Sequence, residues 1–298
     1  MLAAFLTTIL FSISVVCGHR SAKMIGGSEA NFWRLACATF FLALYVFSFG
    51  QGLSGDSLPL FLWSGLIGIG VGDVALFQAL PRLGSRLTIL LIQCLSAPFA
   101  ALIEWSWLGT TLTGKQMLCG LIILTGVSIA LAPGKHLNLS PKQIFNGTLF
   151  GLLAAFGNAL GAVLSRKGYA VAQAAAQNID GPTAAFQRLL GGLFIGGICL
   201  LIVKHNTKIP PPFSSREKWK RIWPWVIINA LAGQTIGVSF YQLALKTMPT
   251  GIVLPIVALT PLVAIPFAYW LEGDRPEPRS LFGGVIAVVG VVGLILAK

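Results

Sequence analysis

The chain has 298 residues, of which 55% are hydrophobic and only 10% charged, and its mean hydropathy is +0.82. Soluble domains carry roughly 25% charged residues, so this composition excludes a soluble globular protein. The net charge of +12 lies mostly in the links between apolar runs. Such links are typical of loops beside anionic lipid headgroups, so we expect the lipid bilayer, and no nucleic acid, as a partner.

Ten apolar segments follow one another along the chain, and each approaches the roughly 20 residues that a spanning helix needs. The first is predicted to be a membrane helix and not a signal peptide, because no Lys or Arg precedes Arg20. The sequence therefore predicts an all-α integral membrane protein with ten transmembrane helices. The segments are 2–18, 32–50, 58–80, 86–108, 115–132, 147–165, 183–203, 222–245, 250–271 and 280–297.

Basic residues concentrate in the links after the odd-numbered segments, and six of them lie in the link 204–221. The positive-inside rule then places these links in the cytoplasm and both termini outside. An even number of helices puts the two termini on the same side whichever orientation is correct.

The sequence matches itself at four places, in the same order and at slowly changing offsets. Each match alone is weak because apolar helices resemble one another, but four ordered matches indicate a duplication. The matched stretches are 34–40 with 188–194, 72–80 with 237–245, Pro98 with Pro261, and 120–131 with 284–295.

The repeat unit holds five helices, and an odd number forces the second copy to enter the membrane from the opposite side. We expect a first five-helix repeat at 1–134, a central linker at 135–146 and a second five-helix repeat at 147–298. Inverted repeats are the architecture of many secondary transporters, in which a cavity between the halves opens to each side in turn.

Several short motifs of this chain, spread over both halves, match those of a known group of membrane proteins. An Arg-Leu pair opens helix 2, a proline lies in helix 4, and the best-marked stretch runs YQLALKTMP over 241–249, followed by Leu271-Glu272 and Gly283. The sequence resembles the EamA-type transporters of the drug/metabolite transporter superfamily over nearly its whole length. The resemblance implies a permease or exporter of a small metabolite or drug-like solute, with the solute left open. Gly109 departs from the pattern, since it stands where the second half has Glu272.

Five polar side chains within apolar segments are candidates for substrate binding or coupling, because polar groups in lipid usually face protein or a water-filled cavity. Asp73 has no basic residue four positions away, which suits proton coupling or binding of a cationic group. Gln234 and Tyr241 are seven residues apart and share one helix face. Alternatively, the amide side chains form hydrogen bonds between helices, and Asp73 lies near a helix end in contact with water. The candidates are Asp73, Gln93, Asn158, Gln234 and Tyr241.

Two further groups of residues stand out. Prolines interrupt helix 9 and are possible hinges, although a bent scaffold helix would have the same sequence. Four charged residues are predicted to be helix-end anchors, with binding of an anionic substrate as the alternative for the two arginines. The prolines are Pro255, Pro261 and Pro266, and the anchors are Arg34, Arg188, Glu104 and Glu272.

No cofactor, metal site or catalytic motif is predicted. The five cysteines lie scattered in apolar runs, the three histidines fall in loops or at helix ends, and no P-loop is present. We therefore expect a transporter and not an enzyme. A membrane enzyme acting on a lipid-linked substrate and a non-transporting scaffold remain as alternatives. The short loops suit a bacterial inner membrane, and a proton as coupling ion and a homodimer stay open.

Overall fold

The computed structural model describes residues 1–131, 140–206, 216–272 and 278–297, and in these ranges all regular secondary structure is helical. Two of the helical stretches have π-helical hydrogen bonding and are named π1 and π2. The elements are α1 (Leu2–Ile25), α2 (Gly27–Ser48), α3 (Leu58–Gly65), π1 (Leu66–Val71), α4 (Gly72–Leu108), α5 (Gly114–Leu131), α6 (Pro141–Ala174), α7 (Gly181–Asn206), α8 (Arg216–Asn229), π2 (Ala230–Gly237), α9 (Val238–Thr247), α10 (Thr250–Val257), α11 (Thr260–Glu272) and α12 (Pro278–Leu296).

Eight helical stretches in the described ranges are long and apolar enough to cross a membrane. Two shorter apolar stretches, Gly114–Ala130 and Leu281–Leu296, accompany them. The chain is therefore a multi-pass integral membrane protein, as its composition predicted.

The predicted short turn between the third and fourth segments lies inside α4, where the chain reverses direction. Before the reversal, Gly72 packs against Gly157 of α6, and Leu83 packs further back along α6 against Gly147. After it, Leu91 packs against Gly151. Both limbs of α4 therefore pack along α6, and they run in opposite directions.

Equivalent helices of the two halves run antiparallel to each other. Gly50, near the end of α2, lies against Thr183 at the start of α7, and Leu35 lies against Gly196 further along. In the second pair, Gly126 of α5 packs against Ala287 of α12. The two halves are thus related by a pseudo-two-fold operation that reverses the direction of their helices.

The first helix of each half packs on the third segment of the other half. Helix α1 contacts α8, π2 and α9, while α6 contacts α3, π1 and α4. This reciprocal exchange ties the halves together and places their third segments on either side of the centre of the bundle.

Both third segments contain a π-helix at the equivalent place: π1 ends immediately before the matched stretch that begins at Gly72, and π2 ends at Gly237, the first residue of the other matched stretch. A π-helical turn accommodates an extra residue and is often found at functional sites. Neither π-helical turn was predicted from the sequence, because hydropathy carries no information on which backbone carbonyl accepts a hydrogen bond from a given amide.

Several helices extend beyond the apolar segments that predicted them, because a helix can continue into water after its apolar run ends. Helix α1 continues to Ile25, and α6 begins at Pro141, inside the predicted linker. There, Ser140 and Gln143 form a capping box, in which each side chain bonds the other residue's backbone amide. Residues 135–139 of the predicted linker lie outside the described ranges.

Candidate functional site

A cavity of about 190 Å³ lies between the two halves, with six lining residues from the first half and seven from the second. Both π-helices contribute to its wall, π1 through Gly68 and Ile69 and π2 through Gln234. The lining residues are Phe11, Gly68, Ile69, Asp73, Gln93, Ser96, Asn158, Arg188, Gln234, Val238, Tyr241, Leu254 and Val257.

All five side chains predicted to bind substrate or couple transport line this one cavity. They come from four separate elements, α4, α6, π2 and α9. The structure thus brings together residues that are up to 168 positions apart in the sequence. Ser96 was missed, although it lies three positions after Gln93 and therefore on the same helix face.

Asp73 forms an ion pair with an arginine of α2. The distance from Arg34 Nη2 to Asp73 Oδ2 is 3.3 Å, and the two side chains are 21% and 24% exposed. Arg34 Nη2 also donates a hydrogen bond to the side-chain oxygen of Asn31, one turn earlier. Arg34 lies seven residues inside α2, so its predicted position at a helix end is wrong, because α2 begins at Gly27.

Arg188 is likewise an interior residue, seven positions after the start of α7 at Gly181. It is only 4% exposed, and its guanidinium lies over the ring of Tyr241 with 5.6 Å between Cζ and the ring centroid. The helix-end position predicted for Arg188 is therefore wrong. The apolar segment marked the lipid-facing length of helix 7 but gave no sign that the arginine points into the bundle.

The amide side chains of the cavity are only partly satisfied by protein. Asn158 Nδ2 donates to Ser96 Oγ at 3.3 Å, and Ser96 Oγ itself donates to the Ala155 carbonyl at 3.2 Å. Gln234 Oε1 is buried and has no hydrogen-bond partner in the described part of the chain. Unpaired buried polar atoms are rare in folded proteins, and those in a cavity are available to a ligand.

Glu104 does not lie at the lipid interface, as the adjacent tryptophans suggested. Its side chain is 2% exposed, and Oε1 lies 2.6 Å from Arg166 Nε of α6. Oε2 accepts hydrogen bonds from the backbone amide of Thr250, at 2.6 Å, and from its hydroxyl. Glu104 therefore joins α4, α6 and α10, and the prediction of an interfacial anchor is wrong. The side chain of Glu272 lies outside the described part of the structure.

The prolines of the ninth segment coincide with a break in the helix. Helix α10 ends at Val257 and α11 begins at Thr260, with Pro255 inside α10, Pro266 inside α11 and Pro261 in the first turn of α11. Thr260 Oγ1 donates to the Val257 carbonyl at 2.6 Å, which satisfies the group that Pro261 cannot bond.

Hydroxyls of α1 bond to both sides of this break. Thr8 Oγ1 donates to the Ile256 carbonyl at 3.1 Å, and Ser12 Oγ donates to the Thr260 carbonyl at 2.8 Å. Irregular backbone within a membrane protein occurs where protein or water satisfies it. Here the first helix satisfies it.

The cavity is closed towards the end of the bundle where α9 meets α10. Beyond Tyr241, the next turns of α9 place Ala244 and Leu245 in the largest buried apolar cluster, both with 0% exposure. Arg166 lies beyond them and donates to the carbonyls of Leu245 and Met248. Asp73, which lines the cavity on the side away from this closed end, is 24% exposed.

No group of three or more His, Cys, Asp or Glu side chains that could hold a metal ion occurs in the described ranges.

A profile of the EamA-like transporter family matches residues 1–132 and, a second time, residues 145–296. The chain belongs to this family. The double match gives the EamA-like protein two copies of one domain, in agreement with the antiparallel helix pairs and the paired π-helices. A crystal structure superposes on it with a TM-score of 0.78, at 14% identity, over 99% of this chain and 96% of the other. At that identity the likeness shows the fold alone. A search of curated proteins finds no match.

Proposed function

We propose that this EamA-like protein is a secondary-active transporter that moves a small polar solute by alternating access. Its ten transmembrane helices would form two inverted five-helix repeats, with α5 and α12 as the shortest spans. The observation that carries the proposal is the cavity between the repeats, lined by both π-helices and closed at one end. Substrate sites of such transporters lie at the repeat interface, near irregular helices.

The pseudo-two-fold relation supports this mechanism. In the proposed mechanism the cavity is closed at the Glu104 end and opens at the Asp73 end, and the inverted repeats permit a second state in which these roles are exchanged. In that second state the repeats would exchange conformations, so the same cavity would open at the Glu104 end. The break between α10 and α11 provides a place where the helix can bend during this exchange.

Asp73 is our candidate for proton coupling. It is the one carboxylate among the cavity-lining residues, and its pairing with Arg34 depends on its charge. Protonation of Asp73 would break its ion pair with Arg34. A proton could drive the conformational change through this loss of pairing.

The test is uptake of labelled metabolites into liposomes that contain the purified protein, with and without a pH gradient. We expect at least one solute to be taken up, with an initial rate that rises under the gradient. In Asp73→Asn the gradient should have no effect, while the exposed control Asp56→Asn should behave as the wild type. If no solute moves under any ion gradient, the transport proposal fails. If Asp73→Asn responds to the gradient, Asp73 is not the coupling residue.

The same assay addresses the alternatives. Turnover of a lipid-linked substrate without net uptake would favour the membrane enzyme, and neither uptake nor turnover would favour the scaffold. We also propose a bacterial inner membrane as the location, because the described links are short. A homodimer stays a prediction, which the mass of the protein in nanodiscs will decide.

A further inference from the structure

The two halves carry the same arginine, but only the first half carries an acid to pair with it. Arg34 of α2 corresponds to Arg188 of α7, and Asp73 after π1 corresponds to Val238 after π2. In the first half the arginine and the acid form an ion pair of 3.3 Å. In the second half a valine, 4% exposed, stands in the place of the acid. The pseudo-symmetry thus leaves Arg188 without the partner that its counterpart has.

Arg188 is buried, and Asp73, the nearby acid, is already paired with Arg34. None of the ion pairs found between described residues includes Arg188, and its Nε has no hydrogen-bond partner among them. The aromatic face of Tyr241 offsets part of the charge. Together with Arg34 and Asp73, Arg188 gives the cavity an excess of one positive charge. A buried charge without a counter-charge is strongly unfavourable, so an anion should bind here.

The path of the arginine side chain is fixed by glycines on both neighbouring segments. A Cβ at Gly68 of π1 would lie 2.8 Å from Arg188 Nη2, and one at Gly161 of α6 would lie 3.2 Å from it. Any larger residue at either position would displace the guanidinium. The two glycines therefore leave the room that the guanidinium needs to reach the cavity.

We propose that Arg188 is the anion-binding residue of the cavity and that the solute is a small organic monocarboxylate, an inference that rests on the proposed transport function. A carboxylate matches the planar, two-pronged geometry of a guanidinium. One negative charge neutralises the excess positive charge of the cavity, whereas a dianion would leave the occupied cavity with a net negative charge. The volume corresponds to about six water molecules at roughly 30 Å³ each. Gln93, Asn158 and Gln234 are then placed to bind hydroxyl or amide groups on the rest of the solute.

Binding is tested on the purified full chain by thermal unfolding with a panel of monocarboxylates of two to eight carbons, each paired with its own carboxamide. Malate as a dianion and alanine as a zwitterion complete the panel. We expect at least one monocarboxylate to bind at least tenfold more tightly than its amide, malate and alanine. The inference is overturned if no monocarboxylate binds, or if an amide, the dianion or the zwitterion binds as tightly.

Two substitutions of Val238 distinguish the effect of a new negative charge from the effect of a changed side-chain shape. Val238→Asp supplies the acid that the second half lacks, so it should pair with Arg188 and weaken carboxylate binding at least tenfold without unfolding the protein. Val238→Asn introduces a side chain of nearly the same shape as Val238→Asp but without its charge, so it should weaken carboxylate binding less than Val238→Asp does. Unchanged carboxylate affinity in Val238→Asp would overturn the role of Arg188.

Arg188→Gln provides an independent variant, with the exposed Lys115→Gln as the control that removes the same charge elsewhere. We expect Arg188→Gln to lose the preference for carboxylate over amide, and Lys115→Gln to keep it. A preference that survives in Arg188→Gln contradicts the inference.

Uptake of the same panel into liposomes distinguishes the two proposals. If only neutral or cationic solutes are taken up, the anion inference fails and the transport function stands. If carboxylates bind through Arg188 and nothing is taken up, the transport function fails and the anion site stands.

Discussion

At the scale of single residues, the most consequential contact outside the cavity is the ion pair between Glu104 and Arg166. It joins the two halves at the closed end. It is more buried than the ion pair between Glu29, in the first turn of α2, and Lys204, in the last turn of α7. The Lys204 side chain is 44% exposed and lies 3.5 Å from Glu29, compared with 20% for Arg166 and 2.6 Å for its pair. Both carboxylates are buried, with Glu29 8% and Glu104 2% exposed, so the two pairs differ mainly in the exposure of the basic partner and in the distance between the charges.

We predict that Glu104→Gln lowers the free energy of unfolding by about 3–5 kcal/mol, because it leaves Arg166 without a counter-charge. Glu29→Gln should cost less, because its partner Lys204 is 44% exposed and water can solvate the charge that the substitution leaves unpaired. Denaturation of the purified variants in detergent measures both values. Equal effects of the two substitutions would show that burial does not determine the strength of the Glu104 pair.

The same residues show how far sequence reasoning reaches. It selected Asp73, Gln93, Asn158, Gln234 and Tyr241 because polar groups in apolar helices need protein or water, and the structure places all five on one cavity. It misplaced Arg188 and Glu104, because the direction of a side chain depends on which helices pack against it. A tryptophan beside Glu104 indicated the lipid interface, yet Glu104 itself faces α6.

At the scale of helices, the ninth segment is the clearest difference between the halves. Pro261 lies at the start of α11, after a break, whereas the equivalent Pro98 lies within the second limb of α4, where the helix continues past it. The break therefore does not follow from proline alone. Hydroxyls from α1 bond to the carbonyls around the break, and they stabilise the irregular backbone in the second half.

We predict that Pro261→Ala slows transport about tenfold, which corresponds to about 1.4 kcal/mol in the barrier. The new amide can bond the Val257 carbonyl and join α10 to α11, which makes bending harder. Affinity for the solute should change less than twofold, and uptake and binding assays measure the two quantities. Pro98→Ala is the matched control, and a similar loss of rate in both variants would count against a hinge at Pro261.

The helices themselves were predictable, since long apolar runs specify membrane spans. The two π-helices and the reversal inside α4 were not, because they depend on hydrogen-bond register and on packing against α6. Helix ends were also predicted poorly. Hydropathy indicates contact with lipid, whereas α6 begins at Pro141, inside the predicted linker and directly after its capping residue Ser140.

At the scale of the whole molecule, exchange between two open states requires the closed end to separate. Ala101 of α4 and Gly251 of α10 meet there, and a Cβ on Gly251 would lie 3.3 Å from that of Ala101. Disulfides need roughly 3.5–4.5 Å between these atoms, so a small movement suffices. Leu112 would have to shift the end of its side chain, which is flexible.

We predict that Ala101→Cys combined with Gly251→Cys, in a background without the five native cysteines, loses more than about nine tenths of its transport when oxidised. Because the bond closes one end only, the solute should still bind from the Asp73 end. Reduction should restore uptake, and each single substitution serves as a control. Full transport in the oxidised protein would mean that this end need not open.

The valine opposite Arg188 has a consequence for the history of the chain. In a symmetric pair of identical five-helix subunits, any acid after one π-helix is necessarily present after the other, because both subunits have the same sequence. Both arginines would then be neutralised, and no charge would be left for a ligand. Only after duplication gave the two copies separate sequences could one half carry the acid and the other a valine. On this view duplication came first, and preference for one kind of solute followed from the substitution that made the two halves differ.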